Sequence, residues 1–159
     1  MSLNFSAQLL SSNSVCQCNQ TLNLLSRSEY FKLETTIADD QLILNNLFTS
    51  PYSLTLIRSQ PSVPTLTFKL IKGPVDLLSI QISNETTEFT AYVTIDQGNG
   101  LPEAIVGPIN SVQGLISQCL LRVTSITLQL PNLPISSSKQ TLQINLNTCE
   151  HTLRKYSQR

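Results

Sequence analysis

Apolar and polar residues alternate with a period of two in five segments of the chain. The apolar members of these segments are Leu66, Phe68 and Leu70; Leu78, Ile80 and Ile82; Phe89, Ala91, Val93 and Ile95; Ile126, Leu128 and Leu130; and Leu142, Ile144 and Leu146. Successive side chains of a β-strand point to opposite faces, so each segment has one apolar and one polar face. Such strands are typical of antiparallel sheets that cover a core on one side.

Weaker alternation over residues 3–9, 31–37 and 52–56 predicts further strands in the first third of the chain. Turn-forming residues separate the strands, as in the proline-rich segment 60–64 and in the polar segment 83–86. Turn signals about every 8–12 residues are typical of a β-sandwich or a β-barrel. The pattern therefore predicts an all-β fold.

We expect residues 1–159 to form a single antiparallel β-sandwich domain, because the length suits one domain and no linker or repeat divides the chain. Jelly-roll and immunoglobulin-like topologies are not distinguished. Two segments permit a helix. Asp39 and Asp40 could cap a short turn over residues 42–47, and the apolar residues of 109–121 fit a helical stripe. The β-branched residues of 109–121 suit a strand almost as well as a helix, so we expect one short helix there at most.

The surface predicted by the composition is polar but nearly free of charge. Charged residues make up 13% of the chain, and 10 basic and 10 acidic side chains cancel. Ser, Thr, Asn and Gln together supply about 60 residues instead. Binding to nucleic acid needs clustered Lys and Arg, and the only basic cluster is Arg154, Lys155 and Arg159. We interpret that cluster as a solvated chain end and expect no nucleic-acid partner.

Four cysteines and one histidine are the candidate metal ligands. Cys16 and Cys18 are two residues apart, as are Cys149 and His151. If the two end segments lie side by side, these four side chains could surround a tetrahedral zinc ion. A disulfide among Cys16, Cys18, Cys119 and Cys149 is a second alternative. Because nothing in the sequence indicates an oxidising compartment, we predict reduced, apolar cysteines with no metal and no disulfide.

Residues for catalysis are scarce. His151 is the only histidine, and no G-x-S-x-G motif accompanies it. The acidic pairs Asp39/Asp40 and Glu85/Glu88 fall at predicted caps and turns. The loop that starts at Asp96 and contains Gly98 and Gly100 has too few carboxylates for calcium and no phosphate-binding lysine; we interpret it as a flexible connection. We therefore predict no enzymatic activity, no catalytic or metal site and no cofactor.

Elimination leaves a structural or binding role. We predict a non-enzymatic structural subunit of a larger assembly, namely a small bacteriophage virion protein such as a capsid cement (decoration) protein or a tail component. The composition is similar to that of tailed-phage structural proteins. Low charge favours contact with neighbouring chains, so the expected partners are copies of the chain and other structural proteins, with no small-molecule ligand.

The expected location is the virion, with the cytoplasm as the alternative. No signal peptide and no apolar run long enough to span a membrane is seen, so we expect no membrane partner. The alternative function is a sugar- or receptor-binding β-sandwich module of the adhesin type. That hypothesis places a groove near the 96–108 loop and gives the exposed Tyr92 a role in stacking on a sugar.

Overall fold

The fold is two antiparallel β-sheets, seen in a computed structural model that describes residues 18–37, 41–45, 53–83, 90–98, 104–105, 109–110 and 114–157. The first sheet contains β1 (Thr21–Asn23), β3 (Leu42–Asn45), β4 (Ser53–Leu56), β6 (Val75–Ser83), β10 (Gly114–Val123) and β12 (Gln140–Cys149). The strand order is β10-β6-β12-β4-β3, and β1 also pairs with β12.

The second sheet contains β2 (Phe31–Thr35), β5 (Thr65–Leu70), β7 (Thr90–Asp96), β8 (Ala104–Ile105), β9 (Ile109–Asn110) and β11 (Ser125–Gln129). The order is β2-β5-β11-β7-β8, with β9 also on β7. Two short 3₁₀ turns (Leu24–Ser26 and Ser28–Tyr30) follow β1, and one helix, α1 (Glu150–Ser157), follows β12. No helix in the described part of the chain has the length and apolarity that crossing a membrane requires.

The apolar faces predicted from the alternation meet in one core. The fully or nearly fully buried side chains include Leu66, Phe68, Ala91, Val93, Ile95, Ile126, Leu128, Leu130, Leu142, Ile144 and Leu146. The rings of Phe31 and Phe68 pack edge to face, with centroids 5.5 Å apart. The prediction of an all-β antiparallel sandwich is confirmed. Phe89 and the strand predicted at 3–9 lie outside the described residues.

Strand β6 departs from simple alternation at Leu78. Leu77, Ile80 and Ile82 are buried, whereas Leu78 is only half-buried. The cause is a bulge: consecutive residues 147 and 148 of β12 pair with Ser79 and Leu77, so Leu78 has no partner. An extra residue on one strand shifts every later side chain to the other face. The sequence reading placed Leu78 in the core because it assumed an unbroken period of two.

Both helical interpretations are wrong. Residues 109–110 form β9 and residues 114–121 belong to β10, which pairs with β6 from Gly114↔Ile82 onwards; residues 111–113 lie outside the described part of the chain. Residues 42–45 form β3, which pairs with β4 through Ile43↔Thr55; Asp39 and Asp40 lie outside the described residues. In both segments, pairing with a neighbouring strand determined the structure. The partner strand is distant in sequence, so apolar residues at helical spacing do not by themselves exclude a strand.

The C-terminal helix α1 was not predicted. Glu150 occupies its first turn, and Arg154 and Lys155 occupy its last, which suits the helix dipole. Thr152 and Leu153 are buried on its inner side. Arg154 and Lys155 are exposed, as expected for a solvated cluster, but they lie on an ordered helix. Its shortness and the polar composition of residues 150–157 hid the apolar stripe that would have indicated a helix.

Candidate functional site

The two ends of the sandwich carry different features. The groove end holds residues 57–64, which connect β4 to β5, and residues 130–139, which connect β11 to β12. The disulfide end holds Cys18, Cys149 and α1. The ten residues of β12 run between the two ends, a distance of about 30 Å at the usual rise per residue.

Arg58 fixes the groove end. Its side chain is only 8% exposed, and its Nη1 donates to the carbonyl oxygens of Pro131 at 2.9 Å and Leu133 at 2.7 Å. Nη2 donates to the carbonyl of Pro61 at 2.9 Å, and Nε to that of Gln60 at 3.3 Å. One guanidinium therefore ties the two connections together. Four backbone oxygens take the place of a carboxylate, and no ion pair to Arg58 is present among the described residues.

A groove of about 570 Å³ opens beside Arg58. Its lining residues come from the ends of β2 and β4 and from the connections next to them: Thr36, Ile37, Gln41, Ile57, Arg58, Ser59, Gln60, Ser62 and Pro64. The Ser59 hydroxyl donates to the Gln41 side-chain oxygen at 2.9 Å. This bond links the connection after β4 to the residue that precedes β3. Among the described residues of this lining, Arg58 carries the only charge; their other polar groups are neutral amides and hydroxyls, with apolar surface from Ile37, Ile57 and Pro64.

Exposed apolar side chains concentrate at the same end. Among the described residues the large exposed ones are Val63, Ile71, Tyr92 and Ile135. Val63 and Ile135 belong to the two connections that Arg58 joins, and Tyr92 lies near the start of β7, close to this end of the second sheet. The prediction that Tyr92 is exposed on its strand's polar face is correct, since 44% of it is accessible.

The prediction of no disulfide is wrong. Cys18 and Cys149 form a disulfide with Cα atoms 5.7 Å apart and a sequence separation of 131. Strand β1 pairs with the end of β12 through Thr21↔Cys149, which brings the two cysteines together. Cys119 is disulfide-bonded as well. A pairing over 131 residues leaves no local trace in the sequence. In the chain-entropy account, this disulfide raises the free energy of the unfolded chain by about 5 kcal/mol.

His151 lies beside this disulfide rather than in a catalytic arrangement. Its Nδ1 is 2.7 Å from the Sγ of Cys149, and the side chain is exposed. The zinc hypothesis required the two end segments of the chain to lie side by side. Cys18, Cys149 and His151 meet that condition, because their ligand atoms are all within 4.8 Å of one another. Cys16, the fourth residue of the zinc hypothesis, lies outside the described residues.

The loop that begins at Asp96 starts as a fixed turn. An Asp96 carboxylate oxygen accepts from the Gly98 N–H at 2.8 Å, and Gly98 has a φ of 72°, which a glycine adopts without strain. The Thr124 N–H and hydroxyl both donate to the Asp96 carbonyl. This turn lies at the disulfide end, away from the groove described above. Residues 99–103, as well as Glu85 and Glu88, lie outside the described residues.

Sequence reasoning missed Arg58. One signal for it was present: a basic residue directly after an apolar strand and before a proline-rich segment, in a chain with few charges. The partners of its guanidinium could not be found this way, because Pro131 and Leu133 are more than 70 residues away.

Comparison with known proteins identifies the fold. No family model and no curated protein matches the sequence. A family 32 CBM (carbohydrate-binding module) from C. perfringens NanJ, solved in complex with galactose, aligns with 80% of this chain and 99% of its own at a TM-score of 0.54 and 11% identity. At that identity the likeness shows a shared β-sandwich fold and nothing more.

Two further structures are similar at lower scores. A Ruminococcus gnavus GH29 fucosidase mutant, in complex with fucose, aligns with 94% of this chain and 29% of its own, with a TM-score of 0.48 and 10% identity. The CBM22-1 xylan-binding domain from Paenibacillus barcinonensis Xyn10C aligns with 84% of this chain and 93% of its own, with a TM-score of 0.43 and 10% identity.

Proposed function

We propose that this chain is a non-catalytic β-sandwich module that binds a carbohydrate in the groove beside Arg58. A sugar-binding module is the alternative stated with the sequence, which placed its groove near the 96–108 loop, whereas the groove proposed here lies beside Arg58. We now prefer this class of function to the structural-subunit hypothesis. The observation that carries it is the groove: about 570 Å³ of open space, whose described lining is mostly neutral and polar, on a fold that a galactose-bound module shares. Pockets of this size suit small ligands.

The lining of the groove suits a polyhydroxylated ligand. Gln41 and Gln60 each offer amide donors and an acceptor, and Ser59 and Ser62 offer hydroxyls. Neutral groups of this kind can exchange hydrogen bonds with sugar hydroxyls without desolvating a full charge. Ile37, Ile57 and Pro64 add apolar surface to the lining, which the C–H face of a sugar ring can contact.

Pre-organisation supports the same proposal. Arg58 holds both connections at the groove end by four hydrogen bonds to carbonyl oxygens. A loop that is already ordered loses less conformational entropy when a ligand binds. A weak ligand such as a monosaccharide or disaccharide can then be held by a small number of polar contacts.

The test is a glycan array, followed by calorimetry on the ligands that bind. We expect one group of related glycans, and Gln60→Ala and Gln41→Ala should each weaken binding about fivefold, the value of one lost hydrogen bond. Gln81→Ala is the matched control, because Gln81 is exposed on β6 and outside the groove. Absence of binding to every glycan, or binding that the two groove variants leave unchanged, would contradict the proposal.

A structural subunit remains the second candidate, and the low charge of the outer strand faces favours it. Cross-strand hydroxyl pairs occupy parts of these faces, with Thr55 and Thr141 3.1 Å apart and Thr67 and Thr127 3.2 Å apart. The hydroxyl-rich parts of these faces can be covered by another chain with little charge to desolvate. Light scattering tests this candidate: a stable oligomer, burying at least ~1,000 Å² per pair, is expected for a subunit, and a monomer at high concentration argues against it.

The disulfides indicate the kind of compartment in which either function takes place. Disulfides persist in oxidising settings, which include secreted proteins and virion surfaces, and are rare in the cytosol. We therefore propose an extracellular or virion setting over the cytoplasmic alternative. Mass spectrometry of the natural protein under alkylating conditions tests this, since free Cys18 and Cys149 thiols in the native sample would argue against it.

A further inference from the structure

The disulfide end carries a cluster that the proposed carbohydrate site does not use. The Sγ atoms of Cys18 and Cys149 and a ring nitrogen of His151 lie within 4.8 Å of one another. Cys149 is buried, Cys18 is half-buried and His151 is exposed. Thiolate and imidazole are the ligands that zinc prefers in proteins. While the two sulfurs are bonded to each other they cannot act as thiolates, so the cluster's chemistry depends on its redox state.

The polypeptide holds these residues together without help from the disulfide. Strand β1 pairs with the end of β12 over three residues, the Glu150 N–H donates to the Gln20 carbonyl at 3.2 Å, and the Thr148 hydroxyl donates to the Leu22 carbonyl at 2.9 Å. The Asn23 side chain adds two further bonds to β12. After reduction, Cys149 therefore stays on paired backbone, and Cys18 lies three residues before the strand that pairs with it.

Only a small movement separates the disulfide from a metal site. Two sulfurs bound to one zinc ion at about 2.3 Å each lie roughly 3.8 Å apart in a tetrahedral arrangement. The Cα atoms of Cys18 and Cys149 are 5.7 Å apart, so rotation about the two Cα–Cβ bonds can supply that separation. The imidazole is already next to the sulfur, with Nδ1 2.7 Å from Sγ of Cys149.

Access and a free coordination position are also present. A cavity of about 440 Å³ opens on the cluster, lined by Cys18, Asn19, Gln20, Glu150, His151 and Arg154. Glu150 is held by an ion pair with Arg154 at 3.2 Å. The cavity gives an ion and a reductant a path to the sulfurs, and it leaves room for a water molecule as fourth ligand.

We propose that the reduced form of this chain binds one zinc ion through Cys18 Sγ, Cys149 Sγ and His151 Nδ1, so that the disulfide end is a redox-controlled metal site. A dithiol reductant supplies the two electrons. Its first thiolate attacks one sulfur, the S–S bond breaks, and its second thiolate closes its own disulfide as both cysteines leave as thiols. Zinc then displaces the two thiol protons, and the imidazole proton resides on Nε2 so that Nδ1 can coordinate.

Cobalt titration under anaerobic conditions tests the proposal, with the full chain reduced by a phosphine. Co²⁺ gives a thiolate charge-transfer band when cysteines coordinate it. We expect one equivalent of Co²⁺ per chain, displaced by Zn²⁺, and no band with the oxidised protein. His151→Ala should weaken binding about tenfold or more because one of three protein ligands is lost, and Cys18→Ser should abolish the two-thiolate band. Cys119→Ser is the matched control and should bind as the unmodified chain does.

Several results would overturn the proposal. These are a reduced, folded protein that shows no band, a His151→Ala variant with unchanged affinity, and a band that Cys119→Ser removes while Cys18→Ser leaves it intact. Circular dichroism on every sample reports the fold. If reduction unfolds the chain, the titration is repeated with Zn²⁺ present during reduction. Retention of the β-sheet spectrum only with Zn²⁺ supports the site, and unfolding in spite of Zn²⁺ excludes it.

Discussion

The groove end should lose its order when the Arg58 guanidinium is removed. In Arg58→Met, the aliphatic part of the side chain is largely kept while all of the donors to the four carbonyl oxygens are lost. In Arg58→Lys, the charge is kept but the planar fork that reaches both connections is lost. Comparing these two variants separates the contribution of the charge from that of the hydrogen-bond geometry.

The magnitude follows from the burial of each bond. The bond to the Leu133 carbonyl is buried, and losing a charged donor to a buried acceptor costs about 1.5–3 kcal/mol. The other three bonds are partly buried. Water can replace the lost donor at these carbonyls, so each lost bond lowers the free energy of unfolding by only about 0.5 kcal/mol. Relief from burying a cation offsets part of this sum. A net loss of about 2–4 kcal/mol results, or roughly 10 °C in Tm.

Urea unfolding followed by fluorescence or circular dichroism measures the loss, with thermal unfolding as a second readout. Lys139→Met is the control, because Lys139 is an exposed cation in the connection that Arg58 holds. We expect Arg58→Met and Arg58→Lys to be similarly destabilised and the control to unfold at the same urea concentration as the original chain. Equal midpoints for Arg58→Met and Lys139→Met would refute the reasoning, because the guanidinium would then contribute nothing.

Two further substitutions test the core and the junction of the first sheet. Phe68→Ala should destabilise the fold by about 3–5 kcal/mol, because the side chain is fully buried against Phe31; a shift of under 1 kcal/mol in urea unfolding would contradict the packing. Asn23→Ala should cost about 2–4 kcal/mol, since its amide serves the Ile144 carbonyl and the Leu146 N–H. Asn19→Ala, at an exposed position, is the control. Amide exchange at Leu146 should be faster in Asn23→Ala than in Asn19→Ala, and equal or slower exchange would contradict that role.

The strands were predictable because alternation is a local property of the chain. Leu142, Ile144 and Leu146 alternate with polar residues and lie in β12 with their side chains in the core. The bulge at Leu78 was not predictable, because it arises from the register of β6 against β12 and leaves no change in residue type. The same applies to β10, whose apolar spacing fits a helix as well as a strand until its neighbour is known.

The candidate sites were less predictable than the strands, because each depends on long-range contacts. The sequence predicted the proximity of Cys18, Cys149 and His151 only if the two end segments of the chain lie side by side. The pairing of β1 with β12 meets that condition, but it joins segments 126 residues apart through only three residue pairs. Arg58 shows the same limit, since its carbonyl partners lie in a connection of no distinctive composition.

The junction around β12 leads us to expect that a change at one end of the sandwich leaves the other end intact. One edge of β12 pairs with β4 at its start and with β1 at its end. The Asn23 amide bonds to β12 in the gap between them, at Ile144 and Leu146. Because these bonds satisfy backbone groups in mid-strand, opening the disulfide does not free the edge of β12 as far as β4. The groove beside Arg58 lies at the far end of that strand, so sugar binding there and metal binding at the reduced cysteines are independent proposals.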